Sequence, residues 1–262
     1  MVIHELTDIR AIYDELLHGE IADDNLPNGQ LFRNSAVRIG SSTKTVHLPK
    51  ATEVEFLPDL MKWLEFINRD APFLIKAFIA HYYFEYIHPF FDGNGRLGRY
   101  ITCAYLGYKL DPFTAIIFSK EINNHRKRYY DAFVGVEEPK NYGEVTFFVK
   151  TMMEILLDGQ QALIEELETK QELFKFGSKQ IQKQFNSDLK GRCLFVYYQA
   201  YLFNDSGAGI EDRILYEYLD DAPKTKIRRI LDELVDDGLL EKTKKSPITR
   251  RSTTKLIEAL IN

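Results

Sequence analysis

Residues 73–87 restrict the fold more than any other segment, because apolar or aromatic side chains occupy almost every position in it. A helix with this composition has no polar face for solvent, which is typical of a helix enclosed by other helices. The segment ends at His88-Pro89, since proline does not continue a helix. We therefore predict an all-α core built around a buried helix over residues 73–87.

Composition indicates a folded protein with more than one domain. The chain has 262 residues, and 45% of them are apolar, including 18 Phe and 15 Tyr. The formal net charge of −5 gives no overall attraction to nucleic acid or to an anionic membrane. Cys103 and Cys193 lack the paired spacing of metal sites and disulfide frameworks. The sequence shows neither a signal peptide nor an apolar run of transmembrane length, so we expect a cytoplasmic protein without membrane contact.

Further helices and one β-hairpin are predicted in the N-terminal part. The hairpin is predicted over residues 31–48, where β-branched and polar residues alternate around Gly40-Ser41-Ser42. Elsewhere apolar residues recur at helical spacing between Gly, Pro and polar breaks. The predicted helices cover residues 3–18, 54–67, 73–87, a segment that ends near 110, 118–133 and 144–185.

The C-terminal part has the pattern of a small separate domain. Helices are predicted over 192–203, 210–219 and 224–235, followed by strands over 239–242 and 248–251. This order is typical of a winged helix. We therefore predict a helical domain over 1–160, a connecting helix over 161–190 and a winged-helix domain over 191–262. Residues 224–251 contain nine Lys or Arg and five Asp or Glu, which leaves DNA contact by this domain open.

Residues 88–99 contain groups suited to phosphate chemistry. Gly93 and Gly95 allow backbone N–H groups to converge at the start of the next helix, where a polyphosphate fits. Asp92 offers one oxygen ligand for a Mg²⁺ ion that phosphate oxygens also hold. This part of the segment therefore predicts a binding site for a magnesium-bound polyphosphate.

Two arginines and a histidine complete the segment. Arg96 and Arg99 are three residues apart, hence on one helix face, and both could reach phosphate oxygens. The pKa of an ordinary histidine suits His88 to accept a hydroxyl proton near neutral pH. Residues 88–99 together resemble the signature HxFx(D/E)GNGRxxR of the Fic (filamentation induced by cAMP) family, which they match at all eight specified positions. The resemblance extends over residues 1–160.

This resemblance implies a protein adenylyltransferase, which transfers AMP from ATP to a Ser, Thr or Tyr hydroxyl of a target protein. It makes His88 the general base and Asp92 the Mg²⁺ ligand. It implies a helical core with a small hairpin, or flap, at 31–48, along which the target docks by strand addition. The nucleotide-binding residues that it implies are Gly93, Asn94, Gly95, Arg96, Arg99, Tyr129 and Tyr130.

Several alternatives stay open at this point. A Doc-like branch of the family transfers phosphate and has lysine at the position of Gly95, so Gly95 favours AMP transfer. A winged-helix DNA-binding regulator with a nucleotide-sensing domain is a second alternative, although such a sensor does not need His88. The family's inhibitory motif [S/T]xxxE[G/N] has its spacing at Thr254–Glu258, but Ala259 follows. Restraint by an antitoxin, by a homo-oligomer or by the 3–18 helix is therefore left open.

Overall fold

The computed structural model describes residues 3–40, 45–185, 188–204 and 207–261. The protein is mostly helical and has small antiparallel strand groups, so the predicted helical fold class is confirmed. The chain divides into two compact units, Met1–Leu163 and Ile164–Asn262. Within the described ranges, no helix is both long enough and apolar enough to cross a bilayer.

The N-terminal unit is a group of helices with one strand pair. Its α2 helix begins at a capping box, in which the Glu55 carboxylate accepts the Thr52 backbone N–H (2.8 Å). Its elements are α1 (Leu6–Leu16), β1 (Ile39–Gly40), β2 (Thr45–His47), α2 (Glu53–Asn68), α3 (Phe73–Ile87), α4 (Asn94–Lys109), α5 (Pro112–Asn124), α6 (Arg126–Glu137) and the first part of α7 (Thr146–Phe185).

Helix α3 lies between two apolar cores, which explains why it is apolar all round. The first core contains Ala80, Phe84 and Ile87 of α3 together with Tyr13, Phe56 and Trp63. The second core contains Ala77, Phe78 and Tyr82 of α3 together with Leu106, Phe118 and Met152. Full burial of one large apolar side chain contributes roughly 1.5–3 kcal/mol, so α3 stabilises the unit through both cores.

The hairpin is shorter than the predicted range of 31–48. Strands β1 and β2 are antiparallel, with Ile39 opposite His47 and Gly40 opposite Thr45. Residues 31–38 contain no regular strand. The predicted turn residues Ser41 and Ser42 lie outside the described residues.

The region predicted as one helix over 118–133 contains parts of two helices, so that prediction is wrong. Helix α5 ends at Asn124 and α6 begins at Arg126. His125 lies between them with φ −105° and ψ 33°, outside the helical range, so one helix does not run through this position.

The C-terminal unit contains a three-stranded antiparallel sheet in the order β3-β5-β4. The Arg250 guanidinium on β5 is fully buried and pairs with Asp212 and Asp232. This order of elements is compatible with a winged helix, which stays a prediction. The elements are the later part of α7, α8 (Leu189–Phe203), β3 (Ile210–Glu211), α9 (Asp212–Tyr218), α10 (Lys224–Asp236), β4 (Leu240–Lys245), β5 (Ile248–Ser252) and α11 (Thr254–Ile261).

Candidate active site

The chain turns sharply at His88, where α3 ends. His88 has φ 53° and ψ 63°, in the left-handed region that residues with a Cβ seldom adopt. Its backbone N–H donates to the Phe84 carbonyl (3.0 Å), and Pro89 prevents a further helical turn. Non-glycine residues in this conformation cluster at functional sites, and here the conformation directs the chain into the glycine-rich loop.

The His88 imidazole is oriented by its own helix. Its Nδ1 lies 3.2 Å from the Glu85 carbonyl oxygen. A carbonyl only accepts hydrogen bonds, so Nδ1 carries the proton and Nε2 keeps a free lone pair. Burial lowers the pKa of His88 to about 4, although the Glu85 carbonyl opposes this effect. The ring is therefore neutral at physiological pH and can accept a proton.

Arg33 holds the backbone around His88. Its side chain is fully buried, and its Nε donates to the His88 carbonyl (2.7 Å). Its Nη1 donates to the Ser35 and Ala51 carbonyls, both at 2.7 Å, and its Nη2 to the Lys50 carbonyl (2.8 Å). Burial lowers the pKa of Arg33 to about 10. One guanidinium thus joins the segment before β1, the segment before α2 and the end of α3.

The loop after His88 is anchored in the first core. The Phe90 ring stacks on Tyr13 with centroids 3.7 Å apart and meets the Phe32 ring edge-on at 5.4 Å. The Asn94 side chain closes the loop, since its Oδ1 accepts the Phe90 N–H (3.0 Å) and its Nδ2 donates to the Phe90 carbonyl (2.8 Å). Asn94 is buried, so the structure gives its side chain a role in loop shape, and its predicted contact with phosphate stays a prediction.

Gly93 precedes the first residue of α4 and has φ 85°. A Cβ at this position would lie 2.3 Å from Leu17 Cδ1 and 3.1 Å from Tyr13 Cε2. Glycine is therefore required both by the backbone conformation and by the close approach of the segment at the end of α1. Gly93 and Gly95 lie at the N-terminal end of α4, where backbone N–H groups favour an anion.

Asp92 is the acidic residue of the loop. Its Oδ1 accepts the Gly93 N–H (2.6 Å), and its Oδ2 lies 3.4 Å from Arg96 Nη2. About half of the side chain is exposed. The described residues contain no cluster of three or more His, Cys, Asp or Glu that could hold a metal. One accessible carboxylate does fit a Mg²⁺ ion whose other ligands are phosphate oxygens and water.

Arg96 and Arg99 line one cavity of about 810 Å³, as the sequence predicts for two arginines on one face. Glu20 lies in the same cavity, and its carboxylate is 2.7 Å from Arg96 Nη1. Arg99 folds back along α4, since its Nη1 would lie 3.0 Å from a Cβ at Gly95. The two guanidinium groups therefore offer positive charge to one space beside the start of α4.

A buried polar group lies behind Arg99. Oε1 of Glu85 is buried without a hydrogen-bond partner among the described residues, and Gly98 makes room for it, because a Cβ there would lie 2.3 Å from that atom. Burial raises the pKa of Glu85 to about 7, and the charge of Arg99 opposes this effect. Glu85 thus faces Arg99 from α3 as an acidic group that titrates near neutral pH.

His81 is a satisfied buried histidine, as expected. The Thr102 hydroxyl donates to the Gly98 carbonyl (2.8 Å) and so accepts from His81 Nδ1 (3.1 Å). The Tyr129 hydroxyl donates to His81 Nε2 (2.8 Å). Burial lowers the pKa of His81 to about 4, so the ring is neutral and both of its nitrogens are satisfied.

The two tyrosines predicted to contact the nucleotide differ in position. Tyr129 is 2% exposed and belongs to the second core, near Arg99, so the structure gives its ring a packing role, and its predicted contact with the nucleotide stays a prediction. Tyr130 is 56% exposed and keeps its predicted role as a prediction. The spacing of two adjacent tyrosines on a helix left core packing and base stacking equally open.

His47 fastens the hairpin to the helices. Its Nδ1 lies 3.1 Å from the Glu137 carboxylate on α6, and its Nε2 lies 2.9 Å from the Tyr86 carbonyl on α3. The Tyr82 hydroxyl donates to the same carboxylate. Both imidazole nitrogens face acceptors, which holds β2 beside the end of α3 that carries His88.

Sequence reasoning missed four residues of this region: Arg33, His47, Glu85 and Glu20. The partners of Arg33 and Glu20 are distant in sequence, so no spacing indicates them. Glu85 did carry a signal, because it is an acidic residue in an almost wholly apolar helix, three residues before His88. An acidic side chain is seldom buried unless a polar or charged group lies beside it.

Comparisons with known proteins agree on one family. The model of the Fic/DOC family matches residues 4–106. The chain is 33% identical over 153 residues to the protein adenylyltransferase Fic of Aedes aegypti, an alignment that covers 55% of this chain and 26% of that protein. The chain thus spans about a quarter of the length of this relative. The crystal structure of a Fic family protein from Desulfovibrio desulfuricans G20 superposes with a TM-score of 0.54 at 20% identity, over 94% of this chain and 68% of that one, which supports the fold alone.

Proposed function

Since residues 4–106 form a Fic/DOC family domain, we propose that this protein is a protein adenylyltransferase, which transfers AMP from ATP to a Ser, Thr or Tyr hydroxyl of a target protein. The observation that carries the proposal is the neutral His88 imidazole beside the glycine-rich loop, with Nδ1 engaged by the Glu85 carbonyl and Nε2 without a hydrogen-bond partner in the described part of the chain. A protein that only sensed nucleotide would need the loop but not this base.

In the proposed reaction, the target hydroxyl gives its proton to His88 Nε2. The hydroxyl oxygen forms a bond to the α-phosphorus of ATP, while the bond from that phosphorus to the bridging β-oxygen breaks and pyrophosphate leaves. The N–H group of Gly95 and the charges of Arg96 and Arg99 stabilise the phosphate oxygens, while the Gly93 N–H holds the Asp92 carboxylate. Such a site acts through position and charge, as phosphoryl transfer generally does.

Asp92 is the residue that would hold a Mg²⁺ ion together with the phosphates of ATP. When bound, this ion neutralises phosphate charge and orients the leaving group. About half of the Asp92 side chain is exposed and its Oδ2 has only the long contact with Arg96 (3.4 Å), so a metal ion can reach this oxygen, which supports its assignment as the ligand.

The reaction can be tested with ATP labelled at either end. We expect that addition of the purified protein to a cell lysate with Mg²⁺ raises the label transferred from α-labelled ATP above that of the lysate alone, and leaves the label from γ-labelled ATP at the level that the lysate's own kinases give. His88→Ala should abolish this transfer, because it removes the base, and should leave ATP affinity in calorimetry nearly unchanged. His4→Ala, at an exposed histidine outside the site, is the matched control and should transfer normally.

Other outcomes have definite meanings. Transfer of γ-label instead of α-label would support the Doc-like phosphotransferase, and ATP binding without any transfer would support a nucleotide sensor. Undiminished transfer by His88→Ala would exclude His88 as the base.

The partners are also proposals. We propose that a target segment pairs with the hairpin, which His47 holds beside the end of α3. DNA binding by the C-terminal unit is less supported, since Lys242 pairs with Asp232 (2.9 Å) and Arg251 with Glu241. A mobility shift with random DNA over a salt series tests it, because phosphate contacts weaken as salt rises.

A further inference from the structure

A second cavity of about 210 Å³ lies between α2, α3 and α4 and shares none of its lining residues with the Arg96 and Arg99 cavity. Its apolar part is formed mainly by Trp63, Ile67, Ala80, Phe84 and Ile101. Nothing in the proposed adenylyl transfer uses this space. Its composition therefore raises the question of what it binds.

The cavity is cationic where its lining includes Lys76, Lys109 and Tyr105. The Nζ atoms of Lys76 and Lys109 lie 5.6 Å and 5.9 Å from the centre of the Tyr105 ring. Lys76 also donates to the Arg69 carbonyl (3.0 Å). No acidic residue is among the described lining residues, so the positive charge around Tyr105 is not balanced within the cavity.

The Tyr105 hydroxyl supplies an independent observation. It is buried and has no hydrogen-bond partner among the described residues. A buried hydroxyl without a partner is destabilising, and each case in a native protein calls for an explanation. The hydroxyl is not exposed to the cavity as the ring now lies, so a ligand acceptor would satisfy it after a shift of the Tyr105 ring.

The remaining polar groups of the wall are already engaged. His81 is bonded on both nitrogens by Thr102 and Tyr129. The Asn68 amide nitrogen donates to the Ile3 and Leu64 carbonyls. The groups left to recognise an anion are therefore the Tyr105 hydroxyl, the Lys109 ammonium and the N–H bonds of Lys76 that the Arg69 carbonyl does not use.

We propose that this cavity binds a small aliphatic monocarboxylate. The carboxylate lies at Lys76 and Lys109 and accepts the Tyr105 hydroxyl proton, while the chain lies against Trp63 and Phe84. A cavity of about 150 Å³ holds benzene, so about 210 Å³ suits a chain of about eight carbons. A ligand of this size buries its apolar part and keeps its charge at the cationic side.

Trp63 makes a direct test possible, because it is the single tryptophan of the chain and lines the cavity. Octanoate, octanol and octylamine are titrated below their micelle concentrations while Trp63 fluorescence is recorded, and calorimetry gives the affinities. Octanoate should bind about tenfold or more tightly than octanol, since bonds to a charged acceptor are stronger, and octylamine should bind least.

Variants separate specific binding from adsorption to an apolar surface. Tyr105→Phe and the double variant Lys76→Gln/Lys109→Gln should each weaken octanoate about tenfold and leave octanol unchanged. Lys62→Gln, at an exposed lysine of α2 that does not line the cavity, is the matched control and should bind as wild type. Tyr105→Phe removes an unsatisfied buried hydroxyl, so the melting temperature without ligand should not fall.

The proposal is overturned if octanoate and octanol bind equally, if the Tyr105 and lysine variants keep full octanoate affinity, or if Trp63 does not respond to saturating octanoate. Each of these readouts is independent of adenylyl transfer. Failure of the proposed enzyme activity therefore leaves this test intact.

Discussion

At the residue scale, the pKa of His88 determines how the proposed reaction depends on pH. Only the neutral ring accepts a proton, and burial lowers the pKa of His88 to about 4, whereas an ordinary histidine titrates near about 6.5. We expect protonation of His88 to lower the rate only near pH 4, so that His88 is an active base at every higher pH. The measurement is the single-turnover rate with α-labelled ATP across pH.

Glu85→Gln is the control for this profile, because burial raises the pKa of Glu85 to about 7. A change in the wild-type rate near neutral pH that disappears in Glu85→Gln belongs to Glu85. If the rate of Glu85→Gln still falls as pH drops through the ordinary histidine pKa, then His88 is exposed to solvent and its burial in this structure is wrong.

Gly93→Ala should disrupt the loop through sterics. The new Cβ would lie 2.3 Å from Leu17 Cδ1 at a φ of 85°, and together these effects cost about 2–4 kcal/mol of unfolding free energy. Urea unfolding measures the loss. Gly135→Ala is the matched control, since nothing lies within 4 Å of its Cβ and it is inside α6, where alanine should be neutral or stabilising. Equal stability of the two variants would contradict the crowding described at Gly93.

The candidate site was predictable where its residues are consecutive. His88, Asp92, Arg96 and Arg99 are within one segment, so their spacing alone placed both arginines beside the glycine-rich loop. Arg33 was not predictable, because its acceptors are backbone carbonyls, which every residue has, and only the fold brings them together. The position of Tyr129 depended on which helix face is buried, which its neighbours in sequence did not decide.

At the element scale, Arg33 joins the coil before β1 to the ends of two other segments. Arg33→Lys keeps the charge but loses the planar fork, so several buried carbonyls lose their donors. We expect a loss of about 2–4 kcal/mol in unfolding free energy and slower transfer, because the His88 carbonyl is one of these acceptors. Urea unfolding and the labelling assay measure the two effects.

Arg69→Lys is the matched control for Arg33→Lys. Both guanidinium groups lie 4.8 Å from a phenylalanine ring centre, but Arg69 is exposed. It should therefore lose little stability on the same exchange. If the two variants lose equally, the carbonyl bonds of Arg33 do not stabilise the protein.

The helices and strands were easier to predict where their sequence pattern is regular. Helix α3 was predicted over its observed range because burial on all sides leaves a composition that few other structures accept. The hairpin was placed correctly, but its strands are short, because alternation over 31–48 also suits an extended coil. The break between α5 and α6 was missed, since it lies in the backbone at the single residue His125 and leaves the apolar spacing of both helices intact.

At the scale of the whole molecule, three buried groups link stability to pH with opposite signs. Burial lowers the pKa values of His81 and His88 to about 4, below the unfolded value of about 6.5. The unfolded chain therefore binds more protons between these values, and this stability is lost as pH falls. Burial raises the pKa of Glu85 to about 7, above its ordinary value of 4.5. The stability that Glu85 contributes is therefore complete below pH 4.5, its ordinary pKa, and is lost as pH rises through about 7, its pKa in the folded protein.

Glu85 should therefore offset part of the acid destabilisation that the two histidines cause. Glu85→Gln cannot titrate, so it should lose more stability than wild type when pH falls from 7 to 5, by up to about 2 kcal/mol. Urea unfolding of both proteins at the two pH values measures this difference. Glu15→Gln, the same exchange at an exposed glutamate, is the matched control and should lose as much stability on acidification as wild type. If Glu85→Gln and wild type lose equal stability on acidification, Glu85 is charged at both pH values, and the negative group that faces Arg99 is permanent instead of titrating near neutrality.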